Sequence, residues 1–264
     1  MSVGMKILVT FALESEFAPW RATHDFRSGT WGMLEAHFAE IGGADVGVVL
    51  TGAGPKQAAL TASAAVRSGS DSISLCISSG LAGGLKDAYE IGHVLAAKSV
   101  FSEAPHADLP SHVLDSSPAL VAFAGECGAT IVDQFYSAPH VVGRSEEKRH
   151  LGKVADAVEM ESFEIMHEAA AFGIPVVPIR AISDLASEDL PLDMDGVFNE
   201  EGRVSIPRVL GQVALNPRSL PDLMKLGNRS KRAAESLAQF LDRYVPMLID
   251  RAKALETNTA TAGQ

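Results

Sequence analysis

"VADAVEMESFEIMHEAAAFGIPVVPIRAISDLA", residues 154–186, reads as strand, helix, strand. VADAVEM is a short apolar run. ESFEIMHEAAAFG carries apolar residues at helical spacing and ends on glycine. IPVVPIRAIS is a second, longer apolar run. Strands joined through a helix predict parallel pairing, and a strand apolar at nearly every position predicts burial on both faces. The same stretch holds a conflict. Glu159 and Glu161 flank Met160 where the first strand gives way to the helix, and Asp184 ends the second. Carboxylates are costly to bury unless they are paired or hydrogen-bonded. Each acid is therefore either a helix-start residue, favoured there by the macrodipole, or part of a site.

The alternation extends upstream. KILVTFA (6–12) reads as a buried strand, and MLEAHFAEIGGADVGVVL (33–50) as two strands about a Gly-Gly turn. PKQAALTASAAVRSG (55–69) is a helix with proline in its first turn and glycine at its end. Strands follow at SISLCISSG, HVLAAKSVF and TIVDQFYSA, with helices at SPALVAFAGECG and from Ser145. The fold class is therefore α/β: a mostly parallel sheet with helices on both faces, in a single domain over residues 5–248, with Met5 as its expected start. From Leu190 to Leu226 the chain is punctuated by prolines and reads as a helical extension (190–248) ending in a long helix over 219–248. The polar tail ETNTATAGQ is expected to be disordered over 256–264.

Bulk properties exclude several classes. Of 264 residues, 47% are hydrophobic and the formal net charge is −11, with a pI near 5.2. Such a chain repels phosphate backbones, so no nucleic acid is expected as a partner. No segment reaches the ~18 unbroken apolar residues of a membrane span, and no signal peptide is visible, which predicts a cytoplasmic protein. Cys76 and Cys127 have no metal-site spacing, and the eight histidines form no HExxH or HxH, so no metal and no cofactor are expected. His150 and His167 are read as surface or helix-edge residues.

Two glycine-rich stretches follow strands. TGAGPKQA (51–58) lacks the third glycine of a dinucleotide fingerprint, whose place is taken by Gln57. SSGLAGGLKD (78–87) reads as a second glycine loop with bare backbone N–H groups at a strand's C-terminal end. Beside them lie three acidic strand ends: Glu14 or Glu16, Glu159 or Glu161, and Asp184. Such a cleft suits neutral polyols and heterocycles, which carboxylates hold through hydroxyl and ring N–H groups.

Taken in order, ALESEF, TGAGPKQAA, SGLAGGL, AVEMES and RAISDLA resemble the nucleoside phosphorylase and nucleosidase superfamily, close to the methylthioadenosine/S-adenosylhomocysteine nucleosidases of its purine branch. The resemblance spans about 6–187 and implies a central twisted mixed sheet flanked by helices. It implies Glu16 as the acid that activates water and Asp184 as the acid that protonates purine N7, supported by Ser183. It implies Glu161 as the ribose clamp, with Met160 against the sugar. Val142 and the glycine turns at Ala53 and Gly80 would line the substrate, and Arg180 would be structural. Two departures bear on the reaction. Leu81 stands where the nucleosidases have a serine, and the Gly-Asp-Pro-x-Arg phosphate loop of the hexameric phosphorylases is absent, which favours water over phosphate as co-substrate. The tail from LP after Asp184 through PRSLPDLMKLGNRSKRAAESLAQFL resembles the hopanoid-associated subgroup, whose proposed substrate is adenosylhopane. Family members are usually oligomeric, so a homodimer is the expectation. The reaction implied is release of adenine from a 5′-substituted adenosine; a phosphorylase and a non-catalytic nucleoside-binding protein are the alternatives.

Overall fold

A computed structural model describes residues 5–69, 72–103, 112–193 and 195–262. Strand β1 (Lys6–Phe11) runs into helix α1 (Glu14–Arg21). Strands β2 (Arg27–Trp31), β3 (Leu34–Ile41) and β4 (Ala44–Leu50) form an antiparallel meander. The expected turn between β3 and β4 is present, with positive φ at both Gly42 and Gly43. β2 is one of two strands the sequence pattern conceals, because its RSGT residues are exposed and polar and carry no apolar alternation; the other is the short, largely exposed segment His112–Asp115. Helix α2 (Pro55–Gly69) then leads to β5 (Leu75–Gly84) and β6 (Val94–Ser102), with β7 (His112–Asp115) pairing antiparallel to β6. Next come α3 (Pro118–Glu126), β8 (Thr130–Ser137), α4 (Ser145–Leu151), β9 (Ala157–Glu159), α5 (Ser162–Ala170) and β10 (Val176–Asp184).

The sheet is mixed, as expected, and helices cover both faces. Ile7, Val9 and Phe11 pack with Phe17 and Trp20 of α1 on one side, while Leu8 packs toward Ala58 and Ala62 of α2 and Ile165 of α5 on the other. The sheet also closes on itself at one end. β5 pairs with β10, β10 with β6, β6 with β8, β8 with β9, and β9 returns to β5. β1, β4, β3 and β2 extend from this ring as an open sheet.

Two expectations are corrected. SSGLAGG is strand, not loop: β5 continues to Gly84, paired with β10 on one side and β9 on the other. Glycines are needed there because the strand is crowded, and a Cβ on Gly83 would lie 3.0 Å from an Asp184 carboxylate oxygen. The last helix, α7 (Leu220–Ala262), also runs past the expected end at 248 into the polar tail. No glycine or proline interrupts residues 247–262 to stop it. Buried Leu237, Leu241, Tyr244 and Leu248 seat α7 on the α1 side of the sheet. Before it, α6 (Ile206–Leu215) has no buried residue. Among the described residues no helix is long and apolar enough to cross a membrane.

Candidate active site

The three acids singled out from sequence converge on one cavity from α1, the β9–α5 junction and the end of β10. Its walls include Glu16, Ala53, Leu81, Val142, Met160, Glu161, Ser183 and Asp184, together with Phe198, Leu190 and Leu226 from beyond β10. Gly80 is not among them. Its contribution is space, because a Cβ there would stand 3.3 Å from Glu16 Oε2.

Glu16 occupies the first turn of α1 and is 8% exposed. Oε2 accepts the backbone N–H groups of Ala12 (2.9 Å) and Leu13 (3.2 Å), and Oε1 accepts that of Leu81 (3.3 Å). The helix-start reading of this acid is thus correct as well, since it reaches back to the N-terminal N–H of its own helix. Leu81, the departure from the serine of the nucleosidases, serves Glu16 through its backbone. Burial raises the Glu16 carboxyl above the usual range, outweighing the Arg180 charge and these backbone donors, which pull it down. A raised carboxyl is the stronger base once ionised.

At the second junction the two glutamates divide the work. Glu159 is fully buried, and its Oε2 accepts the N–H groups of Glu161 (3.0 Å) and Ser162 (2.8 Å) and the Arg180 guanidinium (2.6 Å). It closes the N-terminus of α5 and neutralises Arg180. Glu161 is the residue preceding that helix, and its side chain turns away into the cavity. Oε1 accepts Gly54 N–H (2.8 Å), and Oε2 lies 3.9 Å from Arg180. Burial, then the neighbouring Glu159 charge, push its carboxyl up to about 8 against the pull of Arg180 and Gly54 N–H. Met160 packs over the backbone of Gly54.

Arg180 ties these groups together. Its guanidinium also donates to Ser78 O (2.7 Å) and to Ser162 Oγ (2.8 Å), at 1% exposure. The structural role inferred for it is therefore joined by an electrostatic one, because its charge lowers both Glu16 and Glu161.

Asp184 is aimed by a register shift. β10 pairs Ile182 with Ala82 and Asp184 with Gly83, so Ser183 is the extra residue of a bulge, a device that re-aims side chains at strand ends. Ser183 Oγ donates to Asp184 Oδ1 at 2.9 Å. The other oxygen is paired with Lys148 Nζ of α4, a residue with no exposed side-chain surface. Sequence reading missed Lys148, which sits in the charged stretch SEEKRH and carries no local sign of burial.

The turn at residues 52–54 is closed by oxygens of the protein itself. Gly52 N–H is taken by Ala12 O, Ala53 N–H by Gly202 O (2.9 Å) and Gly54 N–H by Glu161. Ala53 thus lines the cavity without a free backbone donor. The chain beyond β10 folds back onto this turn, and Gln57 holds Glu200 O at 2.6 Å. His150 and His167 are both exposed.

Comparison with known proteins gives the family and the fold. The chain is 27% identical over 222 residues to a 5′-methylthioadenosine/S-adenosylhomocysteine nucleosidase of Shewanella oneidensis, covering 75% of this chain and 92% of that one. Its fold matches futalosine hydrolase of Helicobacter pylori (TM-score 0.69, 20% identity, 93% of this chain and 99% of that one). It also matches the Neisseria meningitidis nucleosidase solved with methylthio-immucillin-A (TM-score 0.67, 22% identity, 92% and 99%). The phosphorylase superfamily family model matches residues 6–211, and the chain belongs to that superfamily.

Proposed function

We propose that this protein hydrolyses the N-glycosidic bond of a 5′-substituted adenosine and releases adenine. The observation that carries the reading is the convergence of Glu16, Glu161 and Asp184 on one cavity. Breaking the bond leaves positive charge on the sugar and negative charge on the purine. Glu161 accepts from the ribose hydroxyls and stabilises the first, with Met160 beneath the ring. Asp184, held by Ser183, delivers a proton to N7 to relieve the second. Glu16 takes a proton from the attacking water, a task its raised carboxyl suits. Val142 lines the base side.

Water is favoured over phosphate because the backbone donors that could cradle an anion are already engaged. Glu16 takes those of Ala12, Leu13 and Leu81, and protein oxygens take those of residues 52–54. Leu190, Phe198 and Leu226 give the cavity an apolar wall from the extension, which supports an apolar 5′ group, whether the small thioether of methylthioadenosine or the lipid of adenosylhopane. A homodimer is proposed with it.

The test is adenine release from 5′-methylthio-, 5′-homocysteinyl- and 5′-long-chain-alkyl adenosines, with and without phosphate. The expected result is phosphate-independent release that Asp184→Asn slows by about 100-fold or more while nucleoside still binds. Dependence on phosphate would make the enzyme a phosphorylase. Tight binding of intact nucleoside with no release from any substrate would make it a binding protein.

A further inference from the structure

Lys148 has no exposed side-chain surface. Its ammonium has three protons to donate and three acceptors in place: the Asp184 carboxylate, Leu185 O at 3.2 Å and Glu188 O at 3.2 Å. Only the first carries charge. A buried ammonium is tolerated when a carboxylate compensates it, so Asp184 stands in the resting enzyme as one half of an ion pair. A carboxylate in that state has no proton to give to a departing purine. The nearest proton on the protein is the one on Lys148 Nζ.

We propose that Lys148 is a positioning residue that supplies, through Asp184, the proton adenine takes as it leaves. The inference rests on the adenosine-cleaving reading above. As the C1′–N9 bond breaks, its electron pair passes to the purine. Lys148 Nζ gives its proton to the Asp184 carboxylate as Asp184 hands one on to N7, which leaves a neutral amine beside a carboxylate. The water oxygen bonds to C1′, and its proton goes to Glu16. Afterwards Glu16 returns that proton to solvent, and Lys148 regains one from solvent. The proton count closes, and the net reaction is nucleoside plus water to adenine plus the 5′-substituted ribose. Transfer of the ammonium proton through Asp184 neutralises the negative charge as it reaches the purine, so the lysine's role belongs to the bond-breaking step and not to binding.

The surroundings allow the exchange. A cavity of about 390 Å³ opens beside Asp184, lined by Glu188, Asp189, Asp222, Lys225 and Arg229. Glu188 is paired with Arg229 and Lys225. Asp189 accepts Ser145 N–H at the start of α4, near Arg144. These charges face the pair from the β10 end, α7 and α4, and they bear on cleavage of any substrate alike.

The test compares two leaving groups. A 5′-substituted adenosine needs a proton to depart, whereas the 4-nitrophenyl riboside with the same 5′ group departs as a stable anion. Lys148→Met is expected to lower kcat on the adenosine by about 100-fold with KM within about threefold, while changing kcat on the nitrophenyl riboside by less than about threefold. Lys148→Arg keeps the charge and the hydrogen bonds but cannot release its proton, so it is expected to stay as slow as the methionine variant on the adenosine. Equal losses on both substrates, or Lys148→Arg restoring adenosine cleavage to within threefold of wild type, would overturn the proposal.

Should the variants fail to fold, the unaltered enzyme decides. The solvent deuterium isotope effect on kcat is expected to be larger for the adenosine than for the nitrophenyl riboside, with a curved proton inventory for the adenosine alone, because two protons move together on its leaving-group side. Equal isotope effects and inventories on the two substrates refute the role. Absence of adenine release by the wild type would sink the functional reading instead, and is distinguishable because every arm uses the wild type as its reference.

Discussion

Replacing Glu161 with glutamine is expected to stabilise the protein while disabling it, and the gain should depend on pH. Glutamine keeps an oxygen for Gly54 N–H and removes a charge that sits beside Glu159 in a buried site. The carboxyl lies near 4.5 when unfolded and is raised to about 8 in the fold. Because the folded value is the higher one, this group's stabilising contribution is fully present below about 4.5 and is lost as pH rises through about 8. Each tenfold displacement of the equilibrium is about 1.4 kcal/mol, which sets a ceiling near 5 kcal/mol above pH 8. Effective dielectric constants near 20 at buried sites reduce such figures, so the expected gain of Glu161→Gln is about 2 kcal/mol at pH 8.5 and close to zero at pH 4.5. For a chain of this size that corresponds to a melting temperature higher by about 4–8 °C at pH 8.5. Thermal unfolding of both proteins at pH 5, 6.5 and 8.5 measures it. Above about pH 8, where this acid is ionised, the same variant should lose about 10–100-fold in kcat/KM, because a charged acceptor for the ribose hydroxyls becomes a neutral one. A variant less stable than wild type at pH 8.5, or a gap that does not change with pH, would refute the electrostatic account of this acid.

Two further predictions concern the scaffold. Gly83→Ala puts a Cβ 3.0 Å from Asp184 Oδ2 and 3.2 Å from Val158 Cγ1, so kcat is expected to fall about tenfold or more through displacement of Asp184; an unchanged kcat in a folded variant would show that the glycine is not needed for aim. Asp156 accepts from Tyr89 (2.8 Å) and Lys86 (2.5 Å) and holds Gln134 N–H, and these partners lower its carboxyl despite burial. Its contribution is therefore present above the ordinary carboxylate range and lost as pH falls through its lowered value. Asp156→Asn should cost about 1–2 kcal/mol at pH 7, read by urea unfolding, with a smaller difference at about pH 3.

Much of this molecule was legible along the chain because the signals are local. Apolar runs, helical spacing and the Gly-Gly turn of residues 42–43 marked the strands, helices and hairpin. Three acids at strand ends marked the cavity, since an acid that interrupts a buried strand needs a reason. β2 was invisible for the converse reason: an exposed polar strand has no pattern to read. Spacing placed Glu159 and Glu161 two residues apart without separating them; the family resemblance picked Glu161 for the sugar but gave no physical reason for the choice.

That division was made by Arg180, buried on β10 across β5 from β9, which takes Glu159 at 2.6 Å and leaves Glu161 at 3.9 Å. Closure of the sheet through β5, β10, β6, β8 and β9 is likewise a matter of which edges meet, and propensity does not encode edges. The same holds for Lys148. In sequence it is one charge in a charged helix, and only packing brings it against Asp184, 36 residues away. Residue type and spacing fix what a side chain can do. Which partner it finds, and so whether an acid waits as a base, a clamp or half of an ion pair, depends on contacts between distant segments that exist only once the chain has folded.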